Sequence, residues 1–583
     1  MSVLETPRVY FRGQITWDPM VTNNSPAFYD LRTSKPIFNG MSVAEYRDAA
    51  RDAVVNGGNW NPDGTHRSEL FETTVTGVDS GAGLDTTDAF VGVPVSFSGM
   101  LVDLDPYGVA TSQLFFDEMS WGIVGGCRIL GVATHRMTAS RINFARNTTY
   151  RVIAGVASVV WQTSFDKSAG LRIDSHNSAV LDALNRALDH DEVKGLTVRM
   201  NTYRTVYYGT ETPAPADSQA LRDALQAGGF HPNPARSVLV GVVGLWRQGE
   251  AEAVPGDRVL LRTENSPVST AFAKLKDDRL VIDLGNSVSE TGFDLTKEDL
   301  GTLQVVAKTT GGDIGLGELS YSAYNKAAYE ATSGLVELML DSDQQMAARD
   351  ADIEIRRATG DAVLTEQPLL ACADRPNVYL EPGEQRTVTI RVFERGGSPQ
   401  RAVNVTASET PASPLGPVVI TTDDDGVGTV ELTGSRAGEW TWLLLPWQNG
   451  QQPTVPGRLT PDLDSYFSMR TLSADDDIAS MEPTWENVHH YVLRDWEALA
   501  PCMDNWLRLG DEQQCRAFAP LIRRLTSLDY FERYRYMPVT RGLTAGQRTL
   551  LHRWCDVVEG IAAPGMALAR STVRSTPDFG RGF

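Results

Sequence analysis

The chain has 583 residues, of which 42% are hydrophobic and 22% are charged. It is too long for one hydrophobic core, since cores stop growing at roughly 250 to 300 residues. Its 53 basic and 74 acidic residues give a net charge of −21, which repels nucleic-acid phosphates and anionic lipid surfaces, so we expect neither nucleic acid nor a membrane as a partner. The first residues show no secretion signal, and the five cysteines form no Cys-x-x-Cys pair, so we expect a cytoplasmic protein.

Residues 1–257 predict a β-rich N-terminal domain with helical insertions. Short apolar runs with period-2 alternation are broken by Gly, Pro, Asn and Asp clusters, which is typical of antiparallel sheet. The runs at 151–162 and 237–246 predict strands, whereas the apolar spacing at 178–188 and 218–227 predicts helices.

Two further β regions follow in the chain. Residues 258–370 predict a β-sandwich, in which Lys276-Asp-Asp-Arg279 stands between two alternating runs as a hairpin turn would. Residues 371–462 place short strands between regular turn signals, which predicts an immunoglobulin-like sandwich.

The last part of the chain changes its periodicity. Apolar and aromatic residues recur at helical spacing within 475–565, which predicts an α-helical domain, and 566–583 predicts a flexible tail. The fold class we expect is therefore mainly β and multidomain, with antiparallel sheets and sandwiches and a few helices, followed by a C-terminal α-helical domain.

Four sequence motifs carry a resemblance to a known family, and they occur in the family's order along nearly the whole chain. They are Pro7-Arg8 with Phe11-Arg12-Gly13, Gly195-Leu-Thr-Val198, Val240-Gly-Val-Val-Gly-Leu-Trp-Arg247 and Tyr536-Met-Pro-Val-Thr-Arg-Gly-Leu543. On these motifs the chain resembles the N-terminal half of the iminophenyl-pyruvate dimer synthase and chromopyrrolate synthase family of the violacein and rebeccamycin pathways.

The resemblance implies a haem-dependent oxidase that oxidatively couples two amino-acid-derived, indolepyruvate-type imines, with a small aromatic substrate. Family members also carry a ferritin-like C-terminal half, which needs a Glu-x-x-His on each of two helices. Only Glu486-Asn-Val-His489 has that spacing here, so we expect no metal centre and no ferritin-like half. The alternatives are a non-catalytic binding or assembly module that works with a separate ferritin-like or oxidase partner, and a carbohydrate-binding sandwich.

Five residues are candidates for a functional site. His66 ends a turn-rich stretch with a counterpart in the family, and its ordinary pKa near neutrality suits a general acid or base. Arg541 is a second catalytic candidate, while His489, Tyr536 and Arg535 are candidates for holding haem by an axial bond or by propionate contacts. For each residue the alternative is structural: a loop histidine bonded to the backbone, a histidine at a helix start, or a packed aromatic and ionic layer.

We also expect self-association or a helical partner protein. If another chain supplies the ferritin-like half, this chain should carry an apolar surface where the two proteins meet. Such a surface favours a homo-oligomer or a complex. The tryptophans of the helical region offer that area, namely Trp485, Trp496, Trp506 and Trp554.

Overall fold

The computed structural model describes most of the chain. The described residues are 2–17, 24–57, 64–108, 110–143, 158–206, 235–264, 266–289, 297–321, 324–410, 417–500 and 506–561. The helix predicted at 218–227, the start of the strand predicted at 151–162 and the tail predicted at 566–583 lie outside them. Strands dominate and helices gather at the C-terminal end, which confirms the predicted fold class.

Within its described residues, the first region contains twelve strands and two helices. The helices are α1 (Val43–Gly57) and α2 (Ala179–Leu188). The strands are β1 (Arg8–Trp17), β2 (Tyr29–Asp30), β3 (Lys35–Pro36), β4 (Arg67–Asp79), β5 (Val95–Asp103), β6 (Ser112–Gly122), β7 (Arg128–Val132), β8 (Met137–Asn143), β9 (Ser158–Asp166), β10 (Arg172–Asp174), β11 (Val193–Val206) and β12 (Ala235–Arg247).

Ten of these strands form one antiparallel sheet in the order β10-β7-β6-β5-β4-β1-β12-β11-β9-β8. Because β8 also pairs with β6, the sheet curls back on itself around an apolar core. Phe11 of β1 lies opposite Gly241 of β12, where an added Cβ would come within 2.3 Å of the Phe11 ring. A glycine at 241 is therefore what lets this aromatic ring cover the neighbouring strand.

The described part of the second region forms one continuous antiparallel sheet of eight strands with two short helices. Its order is β17-β16-β19-β20-β13-β14-β15-β18. The predicted hairpin is confirmed, since Lys276 pairs with Arg279 across a two-residue turn. The elements are β13 (Arg258–Arg262), β14 (Ala271–Lys276), β15 (Arg279–Asp283), β16 (Thr302–Thr309), β17 (Gly312–Ser320), α3 (Lys326–Ala331), β18 (Leu335–Met339), α4 (Ser342–Asp350), β19 (Asp352–Arg357) and β20 (Ala362–Gln367).

The third region is a two-sheet sandwich with a shared apolar core. Its strands are β21 (Leu369–Ala373), β22 (Asn377–Leu380), β23 (Gln385–Glu394), β24 (Asn404–Thr410), β25 (Val418–Thr421), β26 (Val427–Thr433), β27 (Gly438–Trp447) and β28 (Tyr466–Thr471). One sheet has the order β21-β23-β26 and the other β22-β28-β27-β24-β25. Strand β28 thus extends the module past residue 462, and an immunoglobulin-like topology stays a prediction.

The C-terminal region is helical, as predicted. Its elements are α5 (Asp476–Ser480), α6 (Trp485–Val488), a π-helical turn (His489–Leu493), α7 (Arg494–Leu499), α8 (Glu512–Ala517), α9 (Ala519–Leu525) and α10 (Ala545–Val558). Helix α10 begins at a capping box in which Thr544 and Gln547 bond each other's backbone N–H groups. Within the described residues, no helix combines the length and the apolar character that crossing a membrane requires.

A buried arginine joins the first two β regions. Arg199 of β11 binds Asp257 through Nη2, and its Nη1 lies 3.2 Å from Asp283 of β15. All three side chains are at most 3% exposed. Removing one partner from such a network leaves an uncompensated charge in the interior.

We therefore expect Arg199→Ala to destabilise the protein by about 3 to 5 kcal/mol. Arg12→Ala is the control, since its pair with Glu330 has an Arg12 side chain that is 49% exposed, and exposed pairs contribute about 0 to 1 kcal/mol. Thermal and urea unfolding monitored by circular dichroism measures both variants. Equal effects of the two substitutions would contradict a structural role for the buried network.

Candidate functional site

A cavity lies where the first region, strand β28 and the helical region meet. It offers about 100 Å³, on the scale of an apolar cavity of about 150 Å³ that accepts benzene. Most of its wall is apolar and comes from the helical region, with Trp496 and Leu543 among the lining residues. Trp506, which is 42% exposed, also lines it and places one end of the cavity at the surface. The polar lining residues are Asn24, Tyr29, His66, Arg470, Thr526 and Thr540.

His66 lies just ahead of β4 and is one of the residues that line the cavity. Its Nδ1 is 2.9 Å from the carbonyl oxygen of Leu101, which assigns the proton to Nδ1 and leaves a lone pair on Nε2. Among the described residues, Nε2 has no hydrogen-bond partner. Burial, together with the charge of Arg541, lowers the pKa of His66 to about 4. The imidazole is therefore neutral at pH 7 and able to accept a proton.

Arg470 lies at the inner side of the cavity and is 1% exposed. Its Nη2 donates to the hydroxyl of Tyr29 at 2.8 Å. On the neighbouring strand β27, Glu439 stands directly opposite Arg470. Burial and the nearby Asp105 raise the pKa of Glu439 to about 8, so this carboxyl group holds a proton at neutral pH.

Arg541 is fully buried and bonds to the backbone. Nη1 donates to the carbonyl of Val539 at 2.5 Å, and Nη2 donates to the carbonyls of Arg533 at 2.8 Å and Phe531 at 3.4 Å. Its guanidinium carbon lies 3.5 Å from the centre of the Phe115 ring. These contacts fix segment 531–540, whose residues 537–540 line the cavity. Arg541 thus shapes the wall and does not line the cavity itself.

The three residues predicted to hold haem do not surround the cavity. His489 Nε2 lies 3.3 Å from Glu497, and its ring stacks on Trp485. Tyr536 is buried and hydrogen-bonds Arg548. Arg535 is at the surface, where Nε donates to the hydroxyl of Tyr534 at 2.7 Å.

These positions do not fit haem. The macrocycle needs one axial donor facing an apolar pocket, and none of the three lines the described cavity. Across the described residues, no group of three or more His, Cys, Asp or Glu side chains is placed to hold a metal ion.

The sequence therefore placed one predicted residue, His66, in the cavity wall and missed Arg470 and Tyr29. The available signal was a charged residue directly after the apolar Phe467 and Met469 of the same strand, both of which are buried. A lone charge in a strand is usually solvated, and its burial depends on elements that are distant in the chain.

The substitution Arg541→Lys tests whether the planar guanidinium group of Arg541 is needed to hold segment 531–540. Lysine keeps the charge but cannot bond several carbonyls from one planar group, so we expect a drop in melting temperature of several degrees and a weakening of ligand binding at the cavity. Arg535→Lys is the matched control, because that side chain is at the surface and contacts only Tyr534 among the described residues. A variant Arg541→Lys that melts like the wild type would contradict the positioning role.

No family model matches the chain. A curated relative, the 2-imino-3-(indol-3-yl)propanoate dimerase of Chromobacterium violaceum, is 25% identical over 399 residues, which are 65% of this chain and 35% of the relative. Two solved structures, the trypsin-activated alpha-2-macroglobulin of Escherichia coli and an alpha-2-macroglobulin mutant of Salmonella, are each 12% identical. They cover 52% and 71% of this chain and 17% and 25% of theirs, with TM-scores of 0.13 and 0.14, and carry no argument. The chain is thus similar in sequence to an imine dimerase and spans about a third of that protein's length.

Proposed function

We propose that this chain takes part in secondary metabolism and acts on a small aromatic, amino-acid-derived imine held in the cavity. The observation that carries the proposal is the position of His66, a neutral histidine with a free lone pair in the wall of an apolar cavity. The similarity to an imine dimerase supports the substrate class, and we infer membership of the dimer synthase family from it.

Proton transfer is the step that this arrangement suits. An imine with a hydrogen on the adjacent carbon becomes an enamine, a carbon nucleophile, when a base removes that hydrogen. Nε2 of His66 accepts the proton, the C–H electron pair forms the C=C bond, and the imine nitrogen takes a proton from solvent. Joining two such carbons also removes two electrons, which an oxidant outside these residues must accept. The role of His66 is therefore general base in the tautomerisation that precedes coupling.

His66→Gln should slow exchange of the hydrogens beside the carbonyl of phenylpyruvate, a stable keto analogue of such an imine. We expect a loss of roughly 10²-fold, since that is a typical contribution of a general base. Deuterium incorporation in D₂O followed by proton NMR measures it. After subtraction of the buffer rate, wild-type exchange at phenylpyruvate concentrations well below saturation should be level between pH 6 and 8 and fall as pH falls through about 4, where His66 of the free protein becomes protonated.

His552→Gln is the matched control for this prediction. His552 is another buried histidine whose pKa is lowered to about 4, but it bonds Thr526 from outside the cavity lining. Exchange should survive its loss. If His66→Gln retains the exchange rate while remaining folded, His66 is a structural loop residue and not the base.

A second candidate function is binding without turnover, in support of a separate ferritin-like or oxidase partner. The same low pKa of His66 favours it, because a base with a pKa of about 4 is weak. In that case phenylpyruvate exchange by the wild type would not exceed the buffer rate, while ligand binding at the cavity would persist.

Haem dependence, which the family resemblance implies, stays a prediction. The visible absorption spectrum of the purified protein measures it. A Soret band with about one iron per chain supports haem, and a featureless spectrum after expression with added haem precursor contradicts it.

A homo-oligomer or a helical partner also stays a prediction. The surface of the helical region offers apolar area for it, because Trp506, Phe518 and Leu521 are 42%, 39% and 37% exposed. The rings of Trp506 and Phe518 pack edge to face, with centroids 6.1 Å apart, so they form a continuous patch of the kind that marks interaction sites.

A further inference from the structure

We propose that the inner end of the cavity binds the carboxylate of the ligand and that Arg470 is the residue that recognises it. The inference deepens the proposed function, on which it rests for the assignment of the cavity as the substrate site. It adds a specificity-determining residue, and it assigns the ligand to the class of small aromatic monocarboxylates.

Arg470 is a buried cation whose hydrogen-bonding capacity is not used up. The guanidinium group donates to the Tyr29 hydroxyl at 2.8 Å and, over a longer distance of 3.5 Å, to the carbonyl of Thr540. Its Nε is buried and has no hydrogen-bond partner among the described residues. An unused donor on a buried charged group costs free energy that a carboxylate acceptor would recover.

The carboxyl groups near Arg470 do not pair with it directly. Arg470 forms no ion pair with a described Asp or Glu side chain, although Asp105 and Glu439 act on it from longer range. Burial raises the pKa of both Asp105 and Glu439, which disfavours the charged form of each carboxyl group. A direct, bidentate partner for the arginine fork is therefore missing from the described chain.

Gly542 shows that the cation, a hydroxyl and an aromatic ring converge on one point. A Cβ added there would lie 3.4 Å from Nη2 of Arg470, 3.6 Å from Oγ1 of Thr540 and 3.0 Å from the ring of Trp496. Oγ1 of Thr540 is itself buried without a hydrogen-bond partner among the described residues. The guanidinium group and one unpartnered hydroxyl thus lie beside the ring of Trp496, and a side chain at position 542 would come into contact with all three.

The remaining wall defines the rest of the ligand. Beyond Arg470 and Thr540 the cavity is lined mainly by apolar side chains of the helical region, with Trp496, Leu543 and Leu551 among them. An apolar wall with one cationic end suits a ligand that has an apolar body and one anionic end. The volume of about 100 Å³ fits a body on the scale of a single ring.

Phenylacetate and phenylacetamide are the probes, because they share the ring and differ in charge. We measure their affinity for the full chain by isothermal titration calorimetry. The wild type should bind the acid at least about tenfold more tightly than the amide, which corresponds to about 1.4 kcal/mol. Arg470→Gln should abolish that preference, and Arg470→Lys should keep part of it, since lysine retains the charge and loses the fork.

Two glycine-to-alanine substitutions test the space beside Arg470 without changing the charge of the protein. Gly542→Ala inserts a methyl group between Arg470 and Trp496 and should weaken phenylacetate binding by about tenfold. Gly457→Ala is the control, since nothing lies within 4 Å of a Cβ added there, and its affinity should match that of the wild type.

Equal affinity of the wild type for acid and amide would overturn the proposal, as would no binding of either at millimolar concentration. Neither result depends on whether the Arg470 variants fold. Failure of the proposed function looks different: His66→Gln would leave phenylpyruvate exchange unchanged while the preference for the acid persists.

Discussion

The guanidinium group of Arg541 is the interaction on which the cavity depends. It bonds three carbonyls of one short segment and stacks on Phe115 of the first sheet at 3.5 Å. Arg136 approaches the same ring at 5.2 Å and pairs with Glu532, so Phe115 lies between two cations that both bind segment 531–540. Burial of a charge costs free energy unless every donor is used, and that cost appears in Arg541 as a pKa lowered to about 10. The segment is fixed because any other course of its backbone would leave this buried charge without acceptors.

The cavity follows from this arrangement, and no region builds it alone. Tyr29 and His66 come from the first region, Arg470 comes from the sandwich, and Trp496 comes from the helical region. Clefts between domains are common ligand sites, because each neighbour contributes groups that its own core cannot accommodate. The hydrogen bond from Arg470 to Tyr29 crosses one of these junctions. Loosening of the junction would therefore change the site before it unfolded any single region.

The sequence predicted those elements that depend only on residues adjacent in the chain. The hairpin at Lys276–Arg279 and the helix at 178–188 follow from local alternation, turn residues and a capping serine, and each requires only a few adjacent positions. His66 could be chosen as a candidate because its residue type is suited to proton transfer, a turn precedes it, and the dimer synthase family has a similar stretch. Arg470 was not found, because its burial depends on Tyr29, which is 441 positions away. The same reason explains why the sequence could not tell apart the arginines of the aromatic and basic cluster near residue 535. Arg535 is at the surface and Arg541 is buried, and the backbone between them is irregular, so no periodicity in the sequence predicts which side chain is inside.

Arg541 and the carboxylate of a bound ligand would act on the pKa of His66 in opposite directions. In the empty cavity, burial and the positive charge of Arg541 keep the pKa of His66 near 4, so the ring is neutral but weakly basic. On the proposed function, a carboxylate bound at Arg470 brings a negative charge into the same low-dielectric space, and a nearby anion raises the pKa of a histidine. A base transfers protons best when its pKa approaches the working pH. Carboxylate recognition would then do more than hold the ligand, because the ligand's own charge would strengthen the base that acts on it, and a neutral analogue would lose both effects together.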